Sequence, residues 1–369
     1  MKKIIYFLVC LLLCVGIGGG AYAIYKSLEK KTPTTQGGNA NVNDGEDGVT
    51  DFDDPPASDS GNTNKPDDST DTEEDTPLTP PENEVSYIAE GMEMLAGASV
   101  YMGSDESLDP AIRFTCLVDN ELVEEVNADE NKSFAMLFAP LDYFDAVNAE
   151  STTYVDWVNA FADAGKTVVM SVYDGYGEYN DYTSYFRFTL SNVLYSNINR
   201  RFVAMGVLID NSGSEPVYKY SAMPEGQTYR TNARSVAYVA GAALNAKAMG
   251  LDNFSDDKAA KLRTYIDMAI DQVNGLSEYV ANGDMPEVTI TSGTTVKMGL
   301  NGTHTIQGTL APDNLDVPVK FVSSNESVAT VSEDGVIKAI SYGTATITMY
   351  VAGEAYTISV TCSSDVQYV

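Results

Sequence analysis

Residues 319–362 read VKFVSSNESVATVSEDGVIKAISYGTATITMYVAGEAYTISVTC. From Thr344 to Tyr350 the pattern alternates. Ala345, Ile347 and Met349 fall on one side, and Thr344, Thr346 and Thr348 on the other. That period of two is the signature of a strand with one face in a core and one in water. Val328 and Val331 flank a short strand, and Asp334-Gly335 is a turn signal between strands. The stretch therefore predicts a small antiparallel β domain at the C-terminal end of the chain.

The same residues resemble a known family. Ser323-Ser324-Asn325, Ser327-Val328-Ala329-Thr330-Val331, Gly335-Val336, Ala339, Gly343 and Ala345-Thr346-Ile347-Thr348 are similar to the bacterial immunoglobulin-like domain of group 2, the Big-2 family. The resemblance spans residues 286–362, about a fifth of the chain. It implies a small immunoglobulin-like β-sandwich of the kind common in bacterial surface and adhesion proteins, often serving as a spacer. Family members usually carry Trp where Phe321 stands, so this chain keeps an aromatic anchor there.

Upstream, residues 86–284 read as a second module. SVYMG, AIRFTCLV, SFAMLFA, KTVVMSVY, SYFRFTL, RFVAMGVLI and VYKYSA are strand candidates, with Ile112, Phe114, Cys116 and Val118 on one face. Helical patterns follow. ARSVAYVAGAALNAKAMG is alanine-rich and ends at Gly250. Asn253 and Ser255 both offer N-caps to DDKAAKLRTYIDMAIDQVNGLSEYV, where Leu262, Ile266, Ala269 and Val273 recur at helical spacing. A short helix is expected from Thr153 to Ala164, with Trp157 and Phe161 turned to the core. The fold class is thus mainly β with helices: an α+β module, or a helix-decorated β-sandwich, followed by the immunoglobulin-like sandwich. GASVYMG, AIRFTC and ARSVAYVAGAAL also resemble fragments of an uncharacterised module of exported proteins from Gram-positive bacteria. No activity comes with that likeness.

The N-terminus points to export. Lys2 and Lys3 precede an apolar run from Ile4 to Tyr25, 22 residues and long enough to span a bilayer. Ala21-Tyr22-Ala23 is also a signal-cleavage pattern. Residues 1–31 are expected to be a signal-anchor, or a signal peptide cleaved near Ala23; lipidation at Cys10 or Cys14 is a third option. Each places the remaining chain outside the cytoplasmic membrane. Residues 32–85 are poor in large apolar groups and are expected to form a disordered, acidic stalk. From residue 33 to 85 there are fifteen Asp or Glu against one Lys, nearly half of the net charge of −31. Such acidity disfavours nucleic acid as a partner.

Little classical catalytic equipment is present. The single histidine, His304, lies in the immunoglobulin-like region, so histidine-dependent hydrolysis by residues 86–284 is not expected. No P-loop, dinucleotide-binding glycine pattern, HExxH or CxxC occurs, and no cofactor or structural zinc is expected. A bridge between Cys116 and Cys362 is one option, but two unpaired thiols on strands are expected. A carboxylate-pair glycosidase stays open, with Asp142, Asp145, Asp174 and Glu178 as candidates.

The other candidate site is YDGYGEYNDYTSYFRF, residues 173–188, where a tyrosine recurs every third position from Tyr173 to Tyr185. Tyrosine faces beside carboxylates suit sugars: rings cover the apolar face and polar groups take the hydroxyls. Tyr176, Tyr179, Tyr182, Asp174 and Glu178 are therefore the candidate ligand-binding residues. The run is expected to be a hairpin with a long loop between KTVVMSVY and SYFRFTL, with Gly175 and Gly177 permitting sharp turns. The expected function is a membrane-tethered surface protein that binds or adheres, with a glycan or cell-wall polymer as ligand. The alternatives are a structural envelope spacer and a carboxylate-dependent carbohydrate-active enzyme.

Overall fold

A computed structural model describes residues 48–50, 86–101, 110–147, 155–173 and 176–364, all within one unit, Glu46–Val369. The expected membrane segment (1–31) and nearly all of the expected stalk (32–85) lie outside the described residues. Within that stalk, Gly48–Thr50 forms a strand, β1, antiparallel to Ser99–Tyr101. Among the described residues no helix is long and apolar enough to cross a membrane.

Residues 86–222, together with β1, build one ten-stranded sheet. After β1 come β2 (Ile88–Met94), β3 (Ser99–Tyr101), β4 (Ala111–Asp119), β5 (Lys132–Pro140) and β6 (Val169–Tyr173). They are followed by β7 (Gly177–Glu178), β8 (Thr183–Leu190), β9 (Phe202–Asp210) and β10 (Val217–Ala222). The order is β1-β3-β4-β2-β10-β9-β5-β6, with β8 on the other side of β4 and β7 beyond β8. Among the described strands of this sheet, only β2 and β10 pair in parallel.

The sheet doubles over so that its flanks face each other. Ile112, Phe114, Cys116 and Val118 alternate inward from β4 and are fully buried. Phe186 on β8 stacks on Phe134 of β5 at 5.6 Å, and Phe138 of β5 meets Phe114 at 6.0 Å and Phe188 at 6.2 Å. The register of β5 and β9 sets large against small on this face: Phe138 opposite Ala204 and Met136 opposite Gly206. Gly206 has no alternative, because a Cβ there would stand 2.5 Å from Cys116 Sγ.

Five α-helices are described. α1 (Asn120–Ala128) and α2 (Leu141–Val147) were not anticipated from the sequence, and both are too short for a clear helical period. α3 (Trp157–Asp163) is the expected short helix, with Trp157 and Phe161 buried. Trp157 stacks on Phe144 of α2 at 4.6 Å. α4 (Val236–Ala248) is capped by Ser235, which accepts from Tyr238 N–H at 2.9 Å. α5 (Asp256–Val273) is capped by Ser255 and not by Asn253. It stops before Gly275, which adopts φ +81°, so the expected helix does not run on to Val280.

The C-terminal strands are β11 (Glu287–Ile290), β12 (Thr295–Met298), β13 (Thr303–Thr305), β14 (Gly308–Ala311) and β15 (Val319–Ser323). β16 (Ala329–Val331), β17 (Val336–Ala339), β18 (Gly343–Val351) and β19 (Glu354–Cys362) complete them. A four-stranded sheet, β12-β19-β18-β15, and a three-stranded sheet, β13-β17-β16, enclose a core of their own that includes Val296, Ile337, Ile347, Ile358 and Val360. β11 and β14 pair separately. Ala345, Ile347 and Met349 point inward as their alternation implies. Phe321 is partly buried, its ring lying against Gly335 at the Asp334-Gly335 turn. Cys116 and Cys362 are buried free thiols on separate strands.

Candidate functional site

The tyrosine run does not form the expected hairpin. β6 pairs with β5 and β8 with β4, so KTVVMSVY and SYFRFTL lie on different parts of the sheet. The turn that does exist joins β7 to β8. Thr183 carbonyl accepts from the N–H groups of Tyr179 and Asn180, both at 3.0 Å, and Asn180 Oδ1 accepts from Tyr182 N–H at 2.9 Å. Asn120, the first residue of α1, clamps this tip. Its N–H donates to Tyr182 carbonyl at 3.0 Å and its Nδ2 to Asp181 carbonyl at 3.2 Å, while Ser184 Oγ donates to its Oδ1 at 2.7 Å. Asn120 carried no sequence signal beyond its place at a helix start, because its partners lie about sixty residues away.

The tyrosines divide into two sets. Tyr176 is half-buried, edge-on to Phe134 at 5.9 Å, and packs against the core. Tyr185 lies over Gly177, where a Cβ would come within 2.2 Å of its ring. Its hydroxyl accepts from Arg187 at 2.7 Å. Gly177 is thus kept for space beneath a ring and sits in a strand; it does not make the turn expected of it. Tyr179 is 53% exposed and Tyr182 81% exposed, with exposed Glu178 beside them. Asp174 and Gly175 lie outside the described residues. Of the candidate platform, Tyr179, Tyr182 and Glu178 are on the surface, and Tyr176 is not available to a ligand in the same way.

A measurable difference follows. Tyr176→Ala is expected to cost about 3 kcal/mol, as aromatic truncations in cores do. Tyr179→Ala and Tyr182→Ala should each stay within about 0.5 kcal/mol of the parent. Urea denaturation followed by Trp157 fluorescence checks this. Only the latter two substitutions can report on binding without disturbing the fold.

Two of the four carboxylates considered for hydrolysis, Asp142 and Asp145, are held by arginines. Arg200 holds Asp142 in a two-pronged contact, Nε to Oδ1 at 2.9 Å and Nη2 to Oδ2 at 2.7 Å. That contact lowers the pKa of Asp142, so it stays ionised and cannot serve as a proton donor at neutral pH. Asp145 pairs with Arg230 at 2.7 Å. Both aspartates line a cleft of about 490 Å³ with Arg200, Arg201, Asp313 and Asp316. His304 sits half-buried on β13, an edge strand of the C-terminal domain.

One group of carboxylates is close enough to hold a metal ion among the described residues. Oxygens of Asp267, Asp271 and Asp284 lie within 4.8 Å of one another, and Asp267 and Asp271 are each only 2% exposed. The backbone already uses Asp267. Its Oδ2 accepts from Tyr279 hydroxyl at 2.9 Å, Asn282 N–H at 3.2 Å and Gly283 N–H at 2.9 Å; its Oδ1 accepts from Asp284 N–H at 2.9 Å. Asp271 takes Val280 N–H at 3.2 Å. Burial, and then the bond to Asp267, push the Tyr279 phenol up to about 12. The cluster anchors the segment that leads from α5 to the C-terminal domain. The sequence showed only two aspartates four apart beside an apolar helical stripe.

Residues 284–358 match the family model for the bacterial Ig-like domain (group 2). No curated protein matches the sequence significantly. Among solved structures, the chain is similar to one described as Dpr2 Ig1-Ig2 in complex with DIP-Theta Ig1-Ig3, at 7% identity and a TM-score of 0.18. That match covers 69% of this chain and 60% of the other, so the chain spans less than two thirds of its length. Extracellular domains 3–5 of Drosophila OTK match at 10% identity and a TM-score of 0.16, covering 76% and 68%.

Proposed function

We propose that this protein works at the cell surface by binding or adhesion, with a glycan or cell-wall polymer as its ligand and the N-terminal segment as its membrane tether. The bacterial Ig-like match over residues 284–358 supports the extracellular, adhesion-type class. The observation that carries the ligand reading is the pair of exposed rings, Tyr179 and Tyr182, on a tip whose backbone is pinned to α1. A pinned loop loses little conformational freedom on binding, and exposed tyrosine faces with a neighbouring carboxylate suit a polyhydroxylated ligand. The carboxylate-dependent enzyme finds no support in Asp142 or Asp145, whose arginine partners keep both engaged.

The test is a pull-down of residues 86–369 against isolated cell wall, its polysaccharides and a glycan panel, with the Tyr179→Ala/Tyr182→Ala chain in parallel. Retention of the parent and at least a tenfold loss in the double variant are expected, the loss of one or two stacking contacts. Equal retention of both proteins removes the tyrosine tip as the site. No retention of either leaves the envelope-spacer function as the better account.

A further inference from the structure

α4 is almost wholly apolar, and it is covered on most sides: Val236, Ala237, Val239, Ala240, Gly241, Ala243 and Leu244 are buried, together with one amide, Asn245. A helix with almost no polar face needs such cover. It packs on α5, on β1 and β3 of the sheet, and on β18 and β19 of the C-terminal domain. The contact with the C-terminal domain is made at close quarters. A Cβ on Gly241 would stand 3.1 Å from Pro318 Cδ, and one on Gly353 would stand 3.1 Å from Leu244 Cβ. Glycine on each side lets the two backbones approach.

At the centre of this seam is Asn245, 1% exposed. Its Nδ2 donates to Pro318 carbonyl at 3.1 Å and Tyr350 carbonyl at 3.3 Å, and its Oδ1 accepts from Gly353 N–H at 2.8 Å. All three partners belong to the C-terminal domain. Leu315 and Ala352 from that domain are part of the core of the upstream module. At the rim, Arg201 Nε donates to Asp316 Oδ1 at 2.9 Å, Asn199 Oδ1 accepts from Asp316 N–H at 2.7 Å, and Asn199 Nδ2 donates to Asn314 carbonyl at 2.8 Å. A buried amide with its donors and its acceptor matched is costly to separate, because parting the surfaces strands polar groups on both of them.

We infer that the bacterial Ig-like domain is an obligate structural partner of the upstream module, docked on α4 through Asn245, and not an independent bead on a linker. The two modules unfold together, and any load or ligand on one is felt by the other. This inference does not depend on what the tyrosine tip binds.

Trp157, the single tryptophan, lies in the upstream module and reports on it alone, whereas circular dichroism reports on both. Ile347 lies in the separate core of the C-terminal domain. In the full chain, Ile347→Ala is expected to lower the urea midpoint of Trp157 fluorescence and of circular dichroism together, by about 1 M. Ile347→Val, with a smaller cavity, gives the same comparison at reduced size if the alanine chain does not fold. Asn245→Leu is expected to split the dichroism transition in two. An unmoved Trp157 midpoint in the Ile347 variant, with a separate earlier dichroism step, would overturn the inference. So would two steps in the parent protein.

Discussion

Gly206→Val is expected to lower the stability of the upstream module by about 3 kcal/mol or more, as overpacking of a closed core does. Valine is a better strand former than glycine, so propensity alone predicts the opposite sign. The loss is diagnostic of what lies over the residue. Gly206 faces Cys116 across the doubled sheet: a Cβ would meet Sγ at 2.5 Å, Met92 Cε at 3.2 Å and Cys116 Cβ at 3.3 Å. Neither strand can retreat, because β9 is hydrogen-bonded along both edges and β4 is held by β2, β3 and β8. The thiol is the movable part. Gly206→Ala with Cys116→Ala should therefore be more stable than Gly206→Ala alone, with a coupling energy of about 1–2 kcal/mol. Urea denaturation read by Trp157 fluorescence on the four proteins of the cycle measures it. A Gly206→Val chain as stable as the parent would mean that the flanks of the sheet do not pack as described.

Gly206 also marks how far sequence reading could go. The inward set Ile112, Phe114, Cys116 and Val118 was readable from its period of two, and so was the C-terminal alternation of Ala345, Ile347 and Met349. What each set faces was not, because strand partners are distant along the chain. Ile88 of β2 pairs with Tyr220 of β10, and Cys116 with Phe186. Register at such separations is set by tertiary packing, and nothing local encodes it. The same gap explains the tyrosine run. Its spacing marked it as unusual, but which rings are covered depends on Phe134 lying beside Tyr176 and Gly177 beneath Tyr185. The apolar character of α4 was visible as an alanine-rich helix. That it is apolar because two modules share it needed the positions of Pro318 and Gly353.

Asp267→Asn is expected to cost about 3 kcal/mol, although it changes one atom and keeps the shape of the side chain. All four groups that reach Asp267 are donors: the Tyr279 hydroxyl and the N–H groups of Asn282, Gly283 and Asp284. An amide must turn its own NH₂ toward at least one of them, so it loses an acceptor and strands a donor in a buried place. Asp271→Asn faces only Val280 N–H and should cost about 1 kcal/mol. A second readout is the Tyr279 phenol, obtained by subtracting the ultraviolet titration of a Tyr279→Phe chain. It sits at about 12 through burial first and the Asp267 bond second, so Asp267→Asn should bring it part of the way down. The sign on stability follows from the folded value lying above the ordinary 10.0. The neutral phenol adds stability that is complete below pH 10 and is lost as the pH rises through about 12. In the Asp267→Asn protein the loss should still begin near pH 10, but be smaller and end at lower pH. Equal, small effects of the two asparagine substitutions would show that the 279–284 segment is not held by Asp267. The entry of the chain into the C-terminal domain would then rest on the α4 seam alone.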